Sequence, residues 1–96
     1  MIKFEWDKKK NNKNISKHGV SFVEASTAFL DDNALLIEDD KHSKEEERFI
    51  LLGMSSMANL LVVCHCYRSK DEIIRIISAR KATKKEEKQY VEGLDL

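Results

Sequence analysis

Residues 46–80 constrain the fold most. They read as three strand-length segments, Glu46 to Met54, Leu60 to Arg68 and Glu72 to Arg80, dense in Ile, Val and Leu. The connections between them, Ser55-Ser56-Met57-Ala58-Asn59 and Ser69-Lys70-Asp71, are too short for a helical crossover and fit hairpins. The three segments are therefore predicted to be antiparallel neighbours. Upstream, Ile2 to Trp6 alternates apolar and charged residues, the period of a half-buried strand, and Ala34 to Ile37 reads as a further short strand.

Three helices fill the remainder. Asp7 is placed to cap a helix over Lys8 to His18, with Gly19 as its stop; this helix is nearly all polar, and Ile15 is its one large aliphatic. Ser21 with Glu24 forms a capping-box pattern ahead of Phe22, Ala25 and Phe29, and Asp31-Asp32-Asn33 ends that helix. An acidic loop follows from Glu38 to Glu45. Thr83 with Glu86 is a second capping box, opening a last helix that Gly93 terminates. Between Lys84 and Glu92 that helix offers just Tyr90 and Val91 as apolar residues, with Leu94 and Leu96 beyond, so it either docks weakly or is held by a partner. The order β-α-α-β-β-β-β-α predicts an α+β fold with helices on one small, antiparallel-rich sheet, formed by residues 1–96 as a single domain.

Ninety-six residues leave no room for a multidomain enzyme. No apolar run approaches the roughly 20 residues of a membrane span, and Met-Ile-Lys-Phe-Glu-Trp-Asp lacks the apolar stretch of a signal peptide. A bacterial-style cytoplasmic protein is the expectation. Seventeen basic and seventeen acidic residues cancel, yet they are unevenly spread. Residues 1–20 carry six lysines against Glu5 and Asp7, and residues 68–88 carry eight bases against four acids. Residues 31–47 carry eight acids against Lys41 and Lys44. If the two basic segments meet in space, they form a patch able to hold phosphates.

Cys64, His65 and Cys66 suggest a metal, but consecutive strand positions point to alternate faces and cannot converge on one ion. The same spacing is poor for a disulfide, so both thiols are expected as reduced, small hydrophobes. No metal and no cofactor are expected.

The residues left to carry chemistry are charged. Arg75 lies among Ile73, Ile74, Ile76 and Ile77, so it must either pair with a neighbouring carboxylate such as Glu46 or Glu47, or bind phosphate as a planar fork. Strict alternation would put it with Ile77 and Ala79, opposite Ser78 and Arg80. His18, unlike His42 and His65, has a basic setting. It either caps the first helix or transfers protons. Metal-independent RNA cleavage needs few parts beyond these: a group to take the 2′-hydroxyl proton, one to protonate the leaving 5′-oxygen, and cations for the phosphorane.

The chain resembles the BrnT toxin family. The resemblance runs from Trp6-Asp7 through Lys10, Asn14 and Lys17-His18-Gly19-Val20-Ser21-Phe22 to Glu24-Ala25. It resumes at His42-Ser43 and Glu46-Glu47-Arg48-Phe49 with Gly53, then closes on Arg75-Ile76-Ile77-Ser78-Ala79-Arg80-Lys81-Ala82, Glu86 or Glu87, and Tyr90. It implies a toxin of a type II toxin–antitoxin system with a fold similar to RelE and ParE toxins. It further implies a ribonuclease that arrests growth by cutting RNA, neutralised by a ribbon-helix-helix antitoxin, expected in a heterotetramer, and a complex that represses its own operon. On that reading Arg48, Arg75 and Arg80 hold phosphate, His18 or Glu47 transfers protons, and Lys10, Lys17, Arg68 and Lys81 contact RNA. A binding module without enzymatic activity and a ParE-like inhibitor of gyrase are the alternatives. Lys8 stands where the family often has proline, and the Cys-His-Cys run carries more thiols than expected.

Overall fold

The computed structural model describes residues 2–42 and 46–94. Its strands are β1 (Lys3–Glu5), β2 (Leu35–Glu38), β3 (Phe49–Met54), β4 (Leu60–Arg68) and β5 (Ile73–Lys81), and its helices are α1 (Lys8–His18), α2 (Phe22–Thr27) and α3 (Lys84–Glu92). The strands form one sheet in the order β1-β5-β4-β3-β2. As predicted, β3, β4 and β5 are antiparallel neighbours, and β2 adds antiparallel to β3. β1 is the exception: it joins the edge of β5 in parallel, so the sheet is mixed.

β1, β2 and β5 begin or end within a residue of expectation, and three features differ by more. The second helix ends at Thr27 and tightens into a single 3-10 turn over Ala28–Leu30. β3 starts at Phe49, so Glu46, Glu47 and Arg48 lie outside the strand. Asp40–His42 makes a 3-10 turn inside the acidic loop, whose residues 43–45 fall outside those described.

The core lies between the sheet and the first two helices, where Val20, Phe22, Ala25 and Ala28 meet Leu61, Val63, Ile74, Ile76 and Ala79. α1 joins it in an unusual way. Ile15 is exposed, and the buried residue of α1 is Asn14. Its amide nitrogen donates to Val20 O (2.9 Å) and Ala79 O (2.7 Å), while its oxygen accepts from Ala79 N–H (3.1 Å). Asn11 Oδ1 accepts from Phe22 N–H at 2.9 Å, tying α1 to the start of α2. Gly19 then stops α1 at φ 69°, a conformation a side chain would resist.

Carboxylates fasten the rest. Ser21 caps α2 through Glu24 N–H, but Glu24 turns its own carboxylate to Ser55 Oγ (2.7 Å) and Asn59 Nδ2 (2.9 Å), pinning the β3–β4 hairpin. Gly53 is required where Ala28 passes over β3, since a Cβ there would come within 2.9 Å of Ala28 O. Asp31 accepts from Met54 N–H (2.8 Å) and Tyr90 Oη (2.6 Å). Burial opposes the Asp31 charge, yet these donors and Asn33 N–H hold its pKa below the ordinary value. The same bond pushes the Tyr90 phenol up to about 12. Tyr90 packs on Leu52 and Val62, on the sheet face opposite α2.

His65 is fully buried, ringed by Phe29 (centroids 4.8 Å apart), Phe49 (6.2 Å) and Tyr67 (5.3 Å). Its Nδ1 lies 3.0 Å from Val63 O, a group that can only accept, so Nδ1 carries the proton and Nε2 faces the Tyr67 hydroxyl at 3.3 Å. Burial lowers its pKa, outweighing the Val63 contact.

Two stability outcomes follow. Asn14→Ala should cost roughly 2–4 kcal/mol by stranding three backbone groups, read as a lower urea midpoint at unchanged m-value. A depressed His65 pKa means the unfolded chain binds more protons below neutrality. Its stabilisation is therefore complete above the ordinary histidine value and declines as pH falls, with a limiting slope of about 1.4 kcal/mol per pH unit. Urea unfolding at pH 7 and pH 5 should show this loss, and His65→Gln should flatten it.

Candidate functional site

The sheet face opposite α2 is only partly covered by α3, which leaves a hollow of about 470 Å³. Ile50, Val62, Cys64 and Ile77 make its apolar floor. Its rim carries four basic side chains, Lys17, His18, Arg48 and Arg80, with Asp39 among them. They come from separate parts of the chain: the end of α1, the approach to β3, and β5. The Asn14 clamp on Ala79 is what places Lys17 and His18 beside Arg80. The two basic sequence segments thus meet here.

A bulge in β5 determines which arginines share this face. Cys64 pairs with Ser78 and His65 with Ile76, so Ile77 is the extra residue and the alternation changes phase there. Arg75, opposite Cys66, and Arg80, opposite Val62, therefore share one face of the sheet, contrary to strict alternation. Arg75 still does not reach the hollow. It lies roughly 15 Å along the strand, where Nη1 donates to Glu5 Oε2 at 2.8 Å. Its carboxylate partner is thus on β1, not Glu46 or Glu47, because β1 pairs in parallel with β5 and sets Glu5 opposite Arg75. Arg68 joins the same cluster, 2.9 Å from Glu46 and 3.6 Å from Glu5.

The other expected residues are scattered. Glu47 borders a different hollow of about 640 Å³, with Glu46, Asp71, Leu36, Phe49 and Tyr67. Its acidic rim has the wrong sign for phosphate. Lys10 is exposed in the first turn of α1, about 12 Å from His18 along the helix axis. Lys81 is exposed and does not line the cationic hollow. Cys64 lies on the hollow floor with its thiol pKa raised, chiefly by burial. Both cysteines are free. Among the described residues, no group of three or more His, Cys, Asp or Glu side chains is arranged to hold a metal, and no helix is long and apolar enough to cross a membrane.

Glu86 is the residue that sequence reasoning missed. Its carboxylate grips Arg80 end-on, Oε1 to Nη1 at 2.8 Å and Oε2 to Nη2 at 2.9 Å, and Oε1 also takes Thr83 N–H at 2.8 Å. The Thr83/Glu86 spacing signalled a helix cap, and the cap is present. Nothing local signalled that the same carboxylate would meet β5. The Arg80 guanidinium, helped by Thr83, holds the Glu86 pKa at about 2. This pair's contribution to folding is complete above the ordinary value of 4.5 and is lost as pH falls towards 2. Acid unfolding monitored between those values should be less steep in Glu86→Gln.

The arrangement is a cationic, water-accessible hollow with an imidazole on its rim, suited to a phosphodiester. The sequence profile of the BrnT family, the ribonuclease toxin of type II toxin–antitoxin systems, matches residues 6–86. That span contains all four basic rim residues and Glu86. No curated protein sequence matches the chain. Among solved structures it is similar to the Brucella abortus ribonuclease toxin BrnT, with a TM-score of 0.66 and 23% identity over 88% of this chain and 100% of that one. At that identity the likeness speaks to the fold, which the two share. With the profile covering most of its length, the chain belongs to the BrnT family of ribonuclease toxins of type II toxin–antitoxin systems.

Proposed function

We propose that this protein is a metal-independent endoribonuclease that arrests growth by cutting RNA in the cytoplasm, and that the hollow bordered by His18, Arg48 and Arg80 is its active site. The observation that carries the reading is the convergence of these side chains with Lys17 on one open hollow. In this mechanism Arg48 and Arg80 hold the scissile phosphate, and Lys17 draws the strand in. His18 removes the 2′-hydroxyl proton as that oxygen attacks phosphorus. The resulting imidazolium then protonates the departing 5′-oxygen, leaving a 2′,3′-cyclic phosphate and a 5′-hydroxyl. The arginines stabilise the extra negative charge of the phosphorane, a contribution of a few kcal/mol for each well-placed donor. Arg75 and Glu47 have no part in this scheme, since Arg75 is held by Glu5 and Glu47 borders the acidic hollow.

Membership in a toxin–antitoxin family supports an antitoxin partner, which we take to be a ribbon-helix-helix protein that neutralises the toxin in a heterotetramer. Purified protein should cleave RNA in excess EDTA. His18→Ala should lower the rate about 10²–10⁴-fold, and Arg80→Ala about 10²–10³-fold, with the far-ultraviolet circular dichroism unchanged. Full activity in Arg80→Ala would remove that residue from the site. An inert chain that still binds its antitoxin at nanomolar concentration would be a binding module. DNA breaks on expression, without shortened transcripts, would identify a gyrase inhibitor.

A further inference from the structure

Arg80 has five N–H donors, and three are spoken for. Nη1 gives one to Glu86 Oε1 and one to Lys81 O at 3.3 Å, and Nη2 gives one to Glu86 Oε2. What remains is Nε–H and the second Nη2–H, which together form the side-on fork of the guanidinium. No acceptor among the described residues takes them. The end-on edge is thus fully used by a protein carboxylate, while the edge that matches two phosphate oxygens is left over on a residue that lines the hollow.

Glu86 is itself fixed. Oε1 is shared between Arg80 Nη1 and the backbone N–H of Thr83, a bond that needs no Thr83 side chain. The first turn of α3 therefore clamps the guanidinium plane from one side. An unclamped arginine at a rim samples several rotamers, and giving up that freedom is a cost when it meets a phosphate. Here that cost is met on folding, before RNA arrives. This gives a role to a helix with so little apolar surface: among its described residues Tyr90 alone is buried, and its opening turn meets Arg80 through Glu86.

We propose that Glu86 is a positioning residue for the ribonuclease reaction, acting through Arg80 by occupying its end-on edge and presenting the side-on fork to the scissile phosphate. The proposal rests on the ribonuclease reading above and deepens it. Glu86 stays ionised throughout any ordinary assay range, so it moves no proton and its effect on rate is independent of pH.

The test is a double-mutant cycle on RNA cleavage in EDTA. Glu86→Gln keeps the shape and an oxygen for Thr83 N–H but turns an amide donor towards one guanidinium N–H. It should lower kcat about 10–100-fold, leave KM within about 2-fold, and leave the shape of the pH profile unchanged. In an Arg80→Lys background, which removes the fork and keeps the charge, Glu86→Gln should change kcat by less than about 2-fold. Thr83→Ala removes the hydroxyl half of the cap without touching the carboxylate, so it should lower Tm and preserve kcat. Wild-type kcat in Glu86→Gln, or a full additional loss in the Arg80→Lys background, would overturn the proposal. A Thr83→Ala loss equal to that of Glu86→Gln would also overturn it, by assigning the effect to the helix cap. Absence of RNA cleavage by the wild-type chain would instead overturn the ribonuclease reading.

Discussion

One buried amide holds the architecture of the site together. α1 is too polar to be placed by apolar burial, and Asn14 places it by bonding to both the N–H and the C=O of Ala79 on β5 and to Val20 O. A residue with one acceptor and two donors suits that task, because all three bonds are made in a dry setting where leaving any unmade is costly. The consequence lies a turn further along the helix, where Lys17 and His18 come to rest beside Arg80. Two basic stretches separated by most of the chain become one rim because a neutral side chain between them has bound backbone.

The acids explain how an electrically balanced chain presents a cationic hollow. Glu24, Asp31, Glu5 and Glu86 are each engaged: Glu24 with the hairpin hydroxyl and amide, Asp31 with Tyr90, Glu5 with Arg75, and Glu86 with Arg80. They serve as fasteners between elements that lack apolar surface to spare. Other carboxylates, Glu46, Glu47 and Asp71, gather at a separate hollow. Glu86 differs from the rest because its fastening reaches into the rim, so the same bond that seats α3 also orients a guanidinium.

Most of the local structure was legible. The caps at Asp7, Ser21 and Thr83, the glycine stop at residue 19 and the two short hairpin connections all act within a few residues of themselves, and the elements formed where those signals stood. That His18 and Arg80 would stay near the surface was legible for a related reason: one ends a helix and the other stands one residue from the end of a strand, and both line the hollow. Arg75 and Glu47 were misplaced by reasoning of the same local kind. An extra residue at Ile77 shifts the phase of β5, and a late start to β3 leaves Glu47 off the ladder.

Hydrophobic period, capping residues and loop lengths determined the element types, their order and the hairpin pairing, because each of these is settled by contacts between near neighbours. The parallel seat of β1, the bulge at Ile77 and the meeting of Glu86 with Arg80 belong to the tertiary structure. Each depends on hydrogen bonds that exist only after distant segments have packed, and the parallel pairing that gives Arg75 to Glu5 joins residues from opposite ends of the chain. A guanidinium in a sequence is only a charge. Whether it is consumed by a carboxylate or offered to a phosphate is decided by what the fold sets against each of its edges.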